Sequence, residues 1–275
     1  MIEGDQAVEL AQFPDWKLTK DPNCFLCPTA YEPEEHGAVE HAIFSISAEK
    51  LILLKKHISN GASEIELSTA EALCAFLWRH VVCARNIDPR EYCEAKLSIT
   101  VDARNRVESP SIPSNFWGNF SEPNAVARAP LINLQHPHAS GERQSVIYLD
   151  LAYRIKRAIA SVNNTAVRRL IGLLNQMPKS TTLTWNVDRY PGPDMLIVCL
   201  QAHKYNDIYF GHRLGNPSAM RVTVGDTEGQ PDGRCIILPP RRGVHGLEVI
   251  LQYDVSTLER LENDIQFSYF FVRRN

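Results

Sequence analysis

His203 and Asp207 stand four positions apart in the stretch HKYND, and no other histidine of the chain has an aspartate at that spacing. A histidine can take a proton from a reacting group when its pKa lies near the working pH. A carboxylate close to it can hold the imidazole in the required tautomer and orientation. The pair is therefore a candidate general base with its orienting residue, although a strand could contain the same spacing by chance.

Two further pairs invite a metal or redox interpretation. Cys24 and Cys27 form a C-x-x-C motif, and His136 and His138 lie much later in the chain. A structural zinc site needs about four ligands at short spacings, and a redox motif should open a helix after a strand. Prolines on both sides of the cysteines predict an irregular segment instead. Chance explains both pairs better, and we expect no metal site.

The totals of the sequence exclude several classes of protein. The chain has 275 residues, 44% of them hydrophobic, and a net charge of -3 from 29 basic and 32 acidic residues. There is no basic field for nucleic acid, and no apolar stretch long enough to span a membrane. The N-terminus lacks the features of a signal peptide. Seven cysteines without such a signal predict reduced thiols and a cytoplasmic location.

The candidate residues must be positioned by a mixture of strands and helices. Alternation predicts strands over 41–47, 96–102, 195–200, 234–238 and 246–253. Helical periodicity predicts helices after Ser47, after the capping box of Ser68 and Glu71, in two stretches between 151 and 174, and after residue 254. Residues 1–40 read as a connector, and residues 103–144 as a long proline-rich segment. The order of these elements indicates an α/β or α+β fold. His80 lies on the apolar face of the helix after the capping box, which predicts that it is a core residue.

Several stretches, taken in order, resemble the BAHD-type acyltransferases, and in particular the fungal branch similar to trichothecene 3-O-acetyltransferase. They are HAIFSISAEKLILLKK, STAEALCAFLWRHVVCAR, ITVDARNRVESPSIPSNFWGNF, NDIYFGHRLGNPSAMRV, CIILPPRRGVHGLEVILQYD and TLERLENDIQF. The resemblance implies a chloramphenicol-acetyltransferase-like mixed sheet with packed helices. It implies transfer of an acyl group from acyl-CoA, such as acetyl-CoA, to a hydroxyl of a fungal secondary metabolite (a terpenoid, polyketide or alkaloid), with no bound cofactor.

The chain also departs from this family's pattern. The family's catalytic motif, H-x-x-x-D-G, closes a first domain, and nothing in this sequence matches it. The resemblance therefore implies a connector over residues 1–40, a C-terminal acyltransferase-family domain over residues 41–275, and a missing N-terminal domain. Aligning Phe210 and Gly211 with the family's D-F-G puts His203 and Asp207 on the lead-in to that turn. Coincidence then explains their spacing better than catalysis does.

A second departure concerns Tyr209, which stands where the family has the aspartate of D-F-G. The resemblance implies that this aspartate pairs with the arginine of V-D-x-R, here Arg104. Because residues i and i+2 of a strand face the same side, we expect Asp207 to replace the lost partner and contact Arg104.

The resemblance also implies residues that line half of a channel, namely Trp117, Gly118, Asn119, Gly211 and Gly215. Tight turns and a packed aromatic are the plainer explanation of the same residues. Two functions stay open: an O-acyltransferase that is truncated, or an inactive family remnant that binds a small molecule or a partner. In either case we expect a small-molecule acceptor and acyl-CoA as ligands, and self-association of the exposed domain face.

Overall fold

The structure is a computed structural model. It describes residue 4 and residues 8–19, 38–59, 66–108, 111–113, 115–118, 120, 125–135, 142–178, 180–189, 191–222 and 233–274. The strands are β1 (Trp16–Thr19), β2 (Val39–Ser47), β3 (Glu94–Ile99), β4 (Ala125–Pro130), β5 (Thr182–Trp185), β6 (Met195–Cys199), β7 (Arg234–Ile237), β8 (Gly246–Asp254) and β9 (Val272–Arg274). The helices are α1 (Ala48–Ile58), α2 (Thr69–Arg85), α3 (Leu131–Leu134), α4 (Glu142–Ser161), α5 (Asn164–Gln176), α6 (Val255–Asn263) and α7 (Ile265–Phe270).

Seven of the described strands form one mixed sheet in the order β4-β3-β6-β7-β8-β2-β9. The pairs β3–β6 and β6–β7 are parallel, and the other pairs are antiparallel. The three parallel strands at the centre of the sheet are typical of an α/β fold, and the antiparallel strands on either side are typical of an α+β fold. The predicted fold class is therefore confirmed.

Helix α2 is the centre of the hydrophobic core. Ser68 accepts a hydrogen bond from the Glu71 backbone N–H, and the Glu71 carboxylate accepts one from the Ser68 N–H, which confirms the predicted capping box. Residues 72–82 of the helix are then buried on every side, with Trp78 and Phe76 among the largest buried side chains. They pack against one face of the sheet and against α4, so this face is sealed from solvent.

The opposite face of the sheet carries a smaller apolar cluster. Ile236, Leu238 and Ile250 are buried there beneath the partly buried Val222. The alternation predicted for β8 is confirmed, because Leu247, Val249, Leu251 and Tyr253 belong to the α2 side. However, the other side of β8 is buried as well, and it includes the polar Glu248 and Gln252.

Three sequence predictions differ from the structure. The segment 103–144, predicted as a loop, contains the edge strand β4, whose buried side chains are only alanines and therefore give a weak hydrophobic signal. The connector 1–40 contains β1, which pairs with β5 in a separate two-stranded sheet. The strand predicted to approach His203 ends at Cys199. Asn60 and Gly61, a turn signal that predicts the end of the helix after Ser47, lie outside the described residues.

Arg106 ties the V-D-A-R-N-R segment to the end of α4. Its Nη1 donates hydrogen bonds to the carbonyl oxygens of Ile159, at 2.6 Å, and Val162, at 2.8 Å. Carbonyl groups at the C-terminus of a helix have no hydrogen-bond donor within the helix. The guanidinium of Arg106 supplies a donor for these two carbonyl groups. This contact connects the loop after β3 to the longest helix described.

We expect Arg106→Met to lower the free energy of unfolding by about 1.5–3 kcal/mol, the typical contribution of hydrogen bonds to a charged group. Chemical denaturation followed by circular dichroism measures the change. Arg157→Met is the matched control, because Arg157 lies exposed on the same helix and should change stability by less than about 0.5 kcal/mol. Equal effects of the two substitutions would contradict the capping role.

Candidate functional site

One end of the sheet gathers most of the chemistry-bearing residues. The parallel strands β3, β6 and β7 all end there, and the antiparallel registers bring the start of β8 and the end of β2 to the same place. We call this end the carboxyl edge. In open sheets with parallel strands, ligands bind beyond the carboxyl ends of the strands.

A cleft of about 290 Å³ opens at the carboxyl edge between the ends of β3 and β6. Among its lining residues are Asp102, Arg104, Gly118, Cys199 and His203. The structure thus brings together three residues that the sequence singled out, from loops nearly a hundred positions apart. Burial raises the pKa of the Cys199 thiol, so this cysteine stays protonated and is a poor nucleophile.

His203 and Asp207 do not form a pair. His203 is exposed and its ring centroid lies 5.4 Å from that of Tyr205. Asp207 ends a single 3-10 turn, Tyr205–Asp207, whose backbone is held by the bond from the Asp207 N–H to the Lys204 carbonyl. No hydrogen bond or ion pair joins the two side chains in the described part of the chain. The spacing therefore does not assemble a base with its orienting carboxylate.

Arg104 takes a different partner from the expected one. Its Nε and Nη2 both donate hydrogen bonds to the carboxylate of Asp102, with Nη2 2.6 Å from Oδ2. Its backbone N–H donates to Asp102 Oδ1. The predicted contact between Arg104 and Asp207 is absent among the described residues, because residues 205–207 form a turn rather than a strand. The hydrogen bonds from Arg104 lower the pKa of Asp102, and the nearby His203 adds to the effect.

Asp102 is thus the carboxylate that shares the cleft with His203, and the sequence analysis missed it. The only signal was local. An aspartate two positions before an arginine can accept from the backbone N–H two residues on and fold into a tight turn. Both side chains of the pair are 41% exposed, so the ion pair is a surface contact of small net stability. Tyr209, at the position of the family aspartate, points to solvent with 62% of its surface exposed.

The glycine-rich turn at 211–215 provides open backbone in the connection between β6 and β7. Gly211 and Gly215 have φ angles of +88° and +67°, which favour glycine. The Phe210 N–H donates to the Gly215 carbonyl, and Asn216 Nδ2 bridges the carbonyls of Asn206 and Ile208. A Cβ added at either glycine would meet nothing within 4 Å. Backbone conformation, not crowding, therefore selects glycine, and a ligand could approach this backbone closely.

Trp117 is 98% exposed, so its ring is not packed inside the domain. Gly118 is more constrained, because a Cβ there would lie 2.8 Å from the Phe116 ring. Asn119 lies outside the described residues. An exposed tryptophan next to a cleft is available to contact a ligand or another protein surface.

A second and larger cleft, of about 930 Å³, lies between α2, α6 and α7. His80 lies at its floor, with Nδ1 3.1 Å from Asp264 Oδ2 and Nε2 2.7 Å from the Tyr148 hydroxyl. Arg79 donates to the same hydroxyl, and Gln266 lies 2.9 Å from it. The order tyrosine, histidine, aspartate resembles a catalytic relay, but Tyr148 is completely buried. The cluster therefore holds α7 and α4 on α2, and the predicted core role of His80 is confirmed.

Burial lowers the pKa of His80 despite its bond to Asp264. Burial also raises the pKa of Tyr148. Burial alone would raise the pKa of Asp264. The hydrogen bonds with His80 and with two backbone N–H groups outweigh this effect and hold the pKa at about 2. The lowered pKa agrees with a neutral His80 that donates from Nδ1 to Asp264, a tautomer inferred from the network.

Two absences hold for the described ranges. No helix there is long and apolar enough to cross a membrane, and no group of three or more His, Cys, Asp or Glu side chains is placed to hold a metal ion. Cys24, Cys27, His136 and His138 lie outside those ranges.

A family model described as Transferase family matches residues 5–267 of the chain. Acyltransferase cm3D of Cordyceps militaris is 24% identical over 281 residues, which cover 97% of this chain and 55% of that protein. Eremophilane O-acetyltransferase prx11 of Penicillium rubens is 27% identical over 248 residues, which cover 88% of this chain and 49% of that protein. The chain spans about half the length of the curated relatives it matches.

The crystal structure of F. graminearum TRI101 complexed with coenzyme A and T-2 mycotoxin matches the fold with a TM-score of 0.70. The match covers 92% of this chain and 54% of that one, at 18% identity. The similarity confirms the predicted chloramphenicol-acetyltransferase-like arrangement of a mixed sheet with packed helices.

We expect the stability of the chain to fall as the pH drops below about 6.5. A histidine whose folded pKa is below its unfolded value is neutral in the folded state while the unfolded state gains a proton, so acid favours unfolding. The slope contributed by His80 is up to about 1.4 kcal/mol per pH unit. Denaturation midpoints between pH 7.5 and 5 measure it.

His80→Gln should flatten this dependence by about one proton, even though it lowers stability at pH 7.5. His212→Gln is the control, because His212 is exposed in the glycine turn and should leave the slope unchanged. An unaltered slope in His80→Gln would show that His80 does not titrate in this range.

Proposed function

Since the chain belongs to the Transferase family, that of the BAHD-type acyltransferases, we propose that it is part of an O-acyltransferase. The reaction moves an acyl group, acetyl in the simplest case, from acyl-CoA to a hydroxyl of a fungal secondary metabolite. A terpenoid, polyketide or alkaloid would serve as acceptor. TRI101 in complex with coenzyme A and T-2 mycotoxin and the eremophilane O-acetyltransferase of Penicillium support this class of substrates.

The observation that carries the proposal is the cleft at the carboxyl edge. It joins Gly118, the Asp102–Arg104 pair and His203, and the chain that leaves the cleft after His203 continues to the open backbone of residues 211–215. Acyl transfer needs a base for the hydroxyl proton, a donor for the tetrahedral oxyanion, and a surface that holds the acyl carrier. The cleft and turn can contribute the third of these.

The base is assigned to a partner domain. His203 has no orienting carboxylate bonded to it in the described part of the chain, and the H-x-x-x-D-G motif of the family is absent from the sequence. An N-terminal domain that carries this motif would face the carboxyl edge and complete a channel. The thiols at Cys74, Cys83, Cys93, Cys199 and Cys235 are free, which agrees with a reaction in the reducing cytoplasm.

The segments that follow β3 and β6 carry exposed apolar side chains that fit a docked domain. Trp117, Tyr209, Phe210 and Leu214 are large, apolar and exposed, and we call them the edge patch. Exposed apolar surface of this kind marks contact with another protein surface or a ligand. Aromatic residues are enriched in the buried centres of such interfaces.

The alternative is a family remnant without catalysis that binds a small molecule or a partner at the same cleft. The unpaired His203 and Asp207 favour this alternative over an unconventional enzyme that would use them. A remnant and a half-enzyme differ in one respect, which is activity once a domain that carries H-x-x-x-D-G is supplied.

We expect the chain alone to release no coenzyme A from acetyl-CoA above the blank, as measured with a thiol reagent and a panel of hydroxylated terpenoids. Joined to the N-terminal domain of a relative that carries H-x-x-x-D-G, it should become active. Replacing the histidine of that motif should lower the rate by about 10²–10⁴-fold, whereas His203→Ala in this chain should leave it unchanged. Lack of activity in a folded joined protein would favour the inactive remnant.

We expect the chain alone to self-associate through the edge patch. Sedimentation velocity between 5 and 100 µM, roughly the range in which weak apolar contacts appear, measures the shift toward larger species. Trp117→Ser with Leu214→Ser should reduce it. Ile265→Ser is the control, because Ile265 is 88% exposed but lies at the α6–α7 junction. A chain that stays monomeric throughout would contradict the docking surface.

A further inference from the structure

A third cleft lies at the same carboxyl edge, on the β8–β2 side of the sheet. It encloses about 340 Å³ between the end of β2, the start of β8 and the loop that precedes β8. Arg241, His245, Glu248 and Arg274 are among its lining residues. None of them belongs to the cleft that contains His203.

Three arginines converge on one buried carboxylate in this cleft. Glu248 is only 5% exposed. Its oxygens lie 2.8 Å from Nη2 of Arg221, 3.4 Å from Nη1 of Arg241 and 4.0 Å from Nε of Arg274. We call Arg221, Arg241 and Arg274 the arginine cluster. The three come from different segments of the chain, so the fold, and not a local charge run, assembles them.

The cluster carries more positive charge than Glu248 neutralises. Three guanidinium groups around one carboxylate leave an excess of two positive charges. Arg241 and Arg274 line the cleft together with Ile46 and Val244, and Arg221 contacts Glu248 from outside this lining. Nε of Arg241 is buried and has no hydrogen-bond partner. A buried N–H without an acceptor is unfavourable. Oε2 of Glu248 is likewise buried without a hydrogen bond, so the cleft is distinguished by its excess positive charge and not by a shortage of acceptors.

Hydrogen bonds to neighbouring segments fix the backbone of the loop that carries Arg241. The Leu238 N–H donates to the Glu248 carbonyl, and the Arg242 N–H donates to the Ser218 carbonyl. Asn206 Nδ2 donates to the Pro240 carbonyl. Gly246 enters β8 with φ at +141°, and a Cβ there would lie 2.3 Å from the Ile46 carbonyl oxygen. The guanidinium of Arg241 is therefore positioned before any ligand arrives.

We propose that the arginine cluster is a binding site for a phosphomonoester group. Such a group carries close to two negative charges at neutral pH and three acceptor oxygens, which match the excess charge and the unused donor of Arg241. The planar fork of arginine suits phosphate geometry better than the point charge of lysine does. The cleft has room for the phosphate and for part of the molecule that bears it.

Two sources could supply this chemistry. One is the phosphomonoester of coenzyme A, in which case the site holds the far end of the acyl carrier and rests on the proposed function. The other is a separate phosphorylated metabolite or free phosphate, which does not depend on acyl transfer. Both the site and the cleft with His203 face the same edge, so one elongated ligand could contact both.

The test uses the whole chain and inorganic phosphate as the first probe. Phosphate should raise the thermal midpoint in a saturable manner, and the effect should weaken with added sodium chloride. Arg241→Gln should weaken phosphate binding about tenfold or more. Arg274→Gln, at the exposed end of β9, should weaken it as well and serves if Arg241→Gln folds poorly. Arg242→Gln is the control, because Arg242 is exposed in the same loop and makes no contact with Glu248.

Coenzyme A and dephospho-coenzyme A, compared by calorimetry, distinguish the sources. Tighter binding of coenzyme A that Arg241→Gln abolishes assigns the site to the acyl carrier. Equal binding of the two, together with stabilisation by phosphate that requires Arg241, assigns it to another phosphorylated ligand and leaves the site intact. The proposal is overturned if phosphate has no effect, or if it stabilises wild type, Arg241→Gln and Arg274→Gln equally. The phosphate measurement is independent of whether the chain takes part in acyl transfer.

Discussion

The parallel pairing of β6 with both β3 and β7 is the constraint on which the rest of the molecule depends. It requires that the connection between β6 and β7 return to the opposite end of the sheet, and it places the residues after all three strands at one edge. The Asp102–Arg104 turn, His203 and Arg241 follow β3, β6 and β7 at that one edge for that reason. If β6 paired antiparallel with either neighbour, these groups would be divided between the two ends.

The elements with strong periodicity could be predicted from sequence. Helix α2 begins at a capping box and carries a continuous apolar face, and β8 alternates over its whole length. Edge strand β4 could not be predicted, because its inward residues Ala125, Ala127 and Ala129 are too small to mark a buried face. β1 and β5 are four residues each and depend on each other for pairing.

The candidate site was predicted less completely than the fold, for a physical reason. Sequence spacing suggested His203 with Asp207, but spacing sets distance only where the secondary structure is regular, and residues 205–207 form a single turn. Arg104 illustrates the same point, since its partner Asp102 is local. The groups around Glu248 could not have been identified from spacing, because Arg221, Arg241 and Arg274 meet only after β8 and β9 have joined the sheet.

The pairing of β2 with β8 carries a consequence for how the chain folds. Strand β2 lies near the start of the described residues and is flanked in the sheet by β8 and β9, both from the last thirty residues of the chain. Bringing such distant segments together has an entropic cost that must be met before the contacts stabilise anything, and folds dominated by these pairings form slowly. Until β8 arrives, Phe44 and Ile46 have no sheet neighbour to cover them. The interval during which the folding chain exposes an unpaired strand is therefore set by the arrival of β8 and β9.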